Sequence, residues 1–118
     1  MISMFSELDK ELEFLEIRIQ QIKKEFKDIK VEVKDLEEWL DELRIQRKMT
    51  HEAIKNGNKS DQALEEIENK GKQVKTQLLE KQQEKIQTFK LLNQLQQDYH
   101  DKLYAKNCLL AEQIKTKE

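Results

Sequence analysis

The sequence predicts an all-α protein: a long antiparallel helical hairpin of the coiled-coil type that assembles into a larger helical bundle. Three observations carry this. In the first half, Phe5, Leu8, Leu12, Leu15, Ile19, Ile22, Phe26, Ile29, Val33, Leu36, Leu40 and Leu43 are apolar at alternating spacings of three and four. That is a heptad a/d seam without a miss, the pattern of one helix laid along another. The chain has 118 residues, no proline, two glycines and 39% charged residues, a composition of long helices rather than of a mixed compact domain. A single turn signal, Asn56-Gly57-Asn58-Lys59-Ser60-Asp61, divides it. Low hydrophobicity with high charge also suits disorder, but disorder gives no reason to keep apolar residues in phase.

The first helix spans about residues 4–55 and the turn about 56–60. Gly57 or Asn56 can take the left-handed conformation that closes a helix, and Ser60 or Asp61 can cap the next. The second helix, about 61–116, is less regular. Leu64, Ile67, Val74 and Leu78 hold one frame, with Gly71 at a core position where it marks close packing. Phe89, Leu92, Tyr99, Leu103 and Leu110 hold another, interrupted by Gln96 and Lys106. The step from Leu78 to Phe89 fits a four-residue stutter. Residues 1–118 are expected to form one coiled-coil unit, with arms of ~75 Å each at 1.5 Å per residue.

Charge favours the hairpin over a parallel dimer of the first helix. In register, such a dimer would set Glu11 against Glu16, Arg18 against Lys23 and Glu32 against Glu37, all repulsive. Folding about the turn instead brings Leu36 to Leu78, Leu40 to Val74 and Leu43 to Gly71. It also sets Arg44 beside Glu68 and Glu37 beside Lys75.

More apolar residues are present than one seam consumes. Phe14, Ile17, Val31, Trp39 and Ile45 lie off it in the first arm, and Leu79, Ile86, Leu91, Leu95, Leu109 and Ile114 in the second. Surplus of this kind is an association surface for another helix. The candidate partner-binding residues are Phe14, Ile17, Ile86, Leu91, Leu95, Leu109 and Ile114, with Phe14 and Ile17 merging with the second-arm residues into one patch toward the termini. Scattered surface residues are the plainer alternative.

Catalysis has no support. His51, His100 and Cys108 are the only good nitrogen or sulfur ligands, and none sits in a metal-binding spacing. Nothing forms a glycine-rich phosphate loop, and no base is placed beside Cys108. No cofactor is expected. The basic residues Arg44, Arg47, Lys48, Lys55 and Lys59 are offset within their span only by Glu52. Such a tip can touch an anionic polymer, although basic residues at a helix end also answer its dipole. No aromatic residue interleaves to stack on bases.

The net charge of −2 gives no general pull toward nucleic acid or an anionic membrane. One cysteine, no leader-like start and no apolar run of ~20 residues make a cytoplasmic protein the expectation, with the cytoskeleton as a candidate place of association. Glu37-Glu38-Trp39-Leu40 resembles the tryptophan-bearing first helix of spectrin repeats, but such a repeat has three helices and two turns. The bare architecture is similar to hairpin stalk and chaperone proteins of flagellar and type III export systems, a likeness of length and heptads alone. The expected function is a non-catalytic scaffold, adaptor or assembly subunit that is a homo- or hetero-oligomer. The alternative is a stalk whose basic tip meets a filament or nucleic acid, or an export-apparatus stalk or chaperone.

Overall fold

The protein, described by a computed structural model over residues 3–117, is all-α. Helix α1 runs Ser3–Lys55 and α2 runs Asp61–Lys117. Both contain long runs of Glu, Lys, Gln and Leu and no proline, so nothing in their interiors removes a backbone donor.

The reversal between them is a Schellman closure. Gly57 takes φ +75°, the left-handed region open to glycine without a Cβ penalty. The N–H of Asn58 donates to the Ala53 carbonyl at 2.8 Å, and that of Gly57 to the Ile54 carbonyl at 3.0 Å. These bonds satisfy carbonyls that the end of α1 leaves without helical partners. Ser60 stands at the cap position of α2, its carbonyl accepting from the Ala63 N–H at 3.1 Å. Asp61 places a carboxylate in the first turn, where the helix dipole favours it.

The helices pack as two compact units. Among the described residues, one comprises 3–26 with 87–117, and the other 27–86 around the turn. In the turn unit Leu40, Leu43 and Val74 form the core, with Leu36, Ile67 and Leu78 packed against it. This is the antiparallel grouping expected from the sequence. In the terminal unit Ile19, Ile22 and Leu92 form the core, with Leu95 and Tyr99 against it. Phe26 and Phe89 add a tilted ring contact at 5.7 Å between centroids. Along α1, Leu12, Leu15, Ile19, Ile22, Val33, Leu40 and Leu43 are buried, and the seam continues to Thr50, 3% exposed.

The second helix departs from expectation. There is no stutter. From Leu64 the frame continues through Ile67, Gly71, Val74 and Leu78 to Lys81, Lys85 and Thr88, then Leu92, Leu95, Tyr99, Lys102, Lys106 and Leu109, all buried or half-buried. Phe89 and Leu110, which the apolar spacing places in the seam, are exposed. The cause is that lysine can occupy a seam position, laying its methylenes along the groove and its ammonium in solvent. An apolar-only count skips those positions and changes phase. Gly71 likewise is no point of close approach, since nothing lies within 4 Å of where its Cβ would be.

Candidate interaction surfaces

With the seam positions fixed, every other residue can be placed on a flank. In an antiparallel pair the b and e positions of both helices share one side of the seam, and the c and g positions share the other. Residues that line common grooves agree. Glu16, Gln20, Lys23, Gln96 and His100 border one groove in the terminal unit, beside Ile19 and Tyr99. Glu7, Glu11, Ala105, Cys108 and Glu112 border a groove on its other side, beside Leu8 and Leu109.

The polar seam residues reach to whichever flank offers a partner. Lys81, at a d position, meets Glu32 at 2.8 Å and Glu84 at 3.0 Å. Lys102, also at d, meets Glu11 at 2.9 Å. Residues at a positions turn to the b/e flank. Arg47 meets Glu68 at 3.4 Å, Lys106 pairs with Asp9, and the Tyr99 hydroxyl donates to Glu16 Oε1 at 2.8 Å. The two carboxylates hold the Lys81 ammonium above its usual pKa, and the Glu16 carboxylate raises that of the Tyr99 phenol.

The expected basic tip is partly neutralised. Arg44 borders the same grooves as Glu68, but that carboxylate meets Arg47 at 3.4 Å and Arg44 pairs with Asp41 of its own helix at 3.2 Å. Lys48 and His51 share a groove of ≈ 520 Å³ with both arginines, Leu64 and Glu68. Lys48, Lys55 and Lys59 are exposed.

The surplus apolar residues do not form one patch. Leu95 belongs to the terminal core, and half-buried Leu109 occupies a seam position. Phe14 (68% exposed) and Leu91 lie on the c/g flank of the terminal unit, and Ile17 lies opposite the seam. Ile114, with Phe89 and Leu110, lies on the b/e flank. Ile86 belongs to the turn unit. Of the second-arm residues with which the sequence groups Phe14 and Ile17, Leu91 shares the flank of Phe14, whereas the continuous frame of α2 turns Ile114 to the other flank and takes Leu95 and Leu109 into the seam.

A charge division was missed altogether. In the turn unit Asp28, Glu32 and Asp35 of α1 share the c/g flank with Glu80 and Glu84 of α2. Lys27, Lys30 and Lys34 share the b/e flank with exposed Leu79 and Ile86. Reading the heptad letters of the interleaved run Lys27-Asp28-Ile29-Lys30-Val31-Glu32-Val33-Lys34-Asp35 would have revealed it.

Among the described residues no group of three His, Cys, Asp or Glu side chains converges as a metal site. None of the described helices is long and apolar enough to cross a membrane. Comparison with known proteins finds no matching family model, no matching curated protein and no matching solved structure.

Proposed function

We propose that the protein is a non-catalytic coiled-coil scaffold or assembly subunit that binds partner helices through apolar side chains outside its own seam. The observation that carries this is the exposure of Phe14, Ile17, Leu91 and Ile114 in a unit whose internal seam is already filled. Large apolar side chains in such numbers on a two-helix unit favour burial against a further helix. Leu95 and Leu109 are removed from the binding surface because they serve the intramolecular seam. One exposed cysteine suits a reducing, intracellular setting.

The reading with a basic tip as ligand-contacting end is weaker. Two of its five cations are engaged by carboxylates, leaving Lys48, Lys55 and Lys59 as the exposed remainder.

The test is the paired substitution Phe14→Glu with Leu91→Glu, two exposed sites on one flank. Helicity should be retained, while self-association in sedimentation or capture of native partner helices is lost. A chain that is monomeric before and after, with native partners still bound to the variant, overturns the proposal.

A further inference from the structure

We propose that the turn unit binds a second copy of this chain flank to flank, the lysine flank of one copy against the acidic flank of the other. At one level of the unit the two flanks carry opposite charge: Lys27 and Lys34 on one, Asp28 and Asp35 on the other, all exposed. Among the described residues, none of these four forms an ion pair within the chain. Glu32 and Glu84, on the acidic flank, already accept the ammonium of Lys81, so cation binding from the side is chemistry that this flank performs internally.

Charge selects the mode of contact. Two lysine flanks face to face repel, as do two acidic ones, so an isologous dimer through either is disfavoured. Lysine against acid is attractive and heterologous, and it repeats from copy to copy as a row or ring. Each flank also offers apolar area. Leu79 and Ile86 are exposed beside the lysines, and Trp39, 46% exposed, stands one turn from Asp35 on the acidic side. This surface is separate from the terminal apolar residues, and its failure leaves the preceding proposal standing.

Sedimentation velocity of the full chain tests it, at on the order of 20 mM and 500 mM salt, where screening lengths differ several-fold. The chain should associate at low salt and disperse at high salt, with Trp39 emission moving to shorter wavelength on association. K27E/K34E and D28K/D35K should each remain dispersed alone. Their equimolar mixture should associate at least about tenfold more tightly than either, because each reversed flank is complementary to the other. Should a reversed pair lose helicity, the neutral pair K27Q/K34Q should show the same loss in weaker form. A mixture no heavier than its components, or the same mass for the natural chain at both salts, overturns the inference. Association insensitive to salt and abolished by F14E/L91E assigns self-assembly to the terminal surface instead.

Discussion

Lys81 occupies a seam position of α2 yet places its ammonium 2.8 Å from Glu32 of α1, at the edge of the same seam. The residue supplies methylenes to the groove and a cation to its rim. It has a counterpart in Lys102, which reaches Glu11 from the equivalent heptad position. Lysine in the seam reduces the apolar area that the helices can share, and it draws α1 to a register in which a carboxylate is level with each ammonium.

This arrangement gives a pH dependence with a definite sign. Lys81 and Tyr99 both titrate above their ordinary values of 10.5 and 10.0. A group whose pKa is raised by folding contributes stability that is complete below the unfolded value and is lost as pH rises through the folded one. The thermal midpoint should therefore fall as pH climbs from about 9.5 to 11.5, and the double variant K81Q/Y99F should fall less steeply. Circular dichroism melts across that range check it. Equal slopes would show that neither contact matters to stability.

Truncation of the two cores tests the seam itself. Ile22 is 1% exposed and Leu40 7%. Either residue replaced by Ala should cost about 2–4 kcal/mol, toward the lower value because a two-helix seam can partly collapse. Glu38, exposed on the far side of α1, should cost less than about 0.5 kcal/mol. Denaturant titration decides, and comparable losses at Glu38 and Leu40 would mean that the assigned frame is wrong.

The two glycines should respond in opposite directions to alanine. Gly57 has φ +75° with open space around it, so Gly57→Ala should destabilise by roughly 1 kcal/mol through backbone strain alone. Gly71 is helical with room for a Cβ, so Gly71→Ala should stabilise by roughly 0.5–1 kcal/mol. Leu40, Leu43 and Ile67 border the groove beside Gly71, so the added methyl enters that groove without a clash. A loss at Gly71 would restore the reading of that position as a close contact.

The fold was legible because α1 writes its seam entirely in apolar residues and the turn contains a glycine where a positive φ is needed. The second helix was only partly legible. Between Leu78 and Leu92 its seam is Lys81, Lys85 and Thr88, residues that hydropathy counts as surface. Hydropathy alone therefore leaves Leu95 and Leu109 outside the seam and puts Phe89 and Leu110 into it, which displaces the candidate surface. Tyr99 kept its place, because an aromatic ring registers as apolar even when its hydroxyl meets Glu16. The division of charge between flanks was hidden for a simpler reason: it exists only after heptad positions are assigned, and total charge averages it away.

The unbroken frame of α2 constrains how this chain can change in length. Leu92 lies eighteen residues beyond Val74, and Leu40 lies eighteen beyond Ile22, so the two arms keep step. A single inserted residue would turn everything downstream by about 100° around the helix axis and present Leu91-type positions, one residue short of the seam, in place of the seam residues. Seven residues added to one arm would preserve its stripe but carry each ammonium a full repeat past its carboxylate. Growth or shrinkage that keeps both stripe and ion pairs therefore requires matched heptads in the two arms, so the length of this chain can change only in coupled jumps.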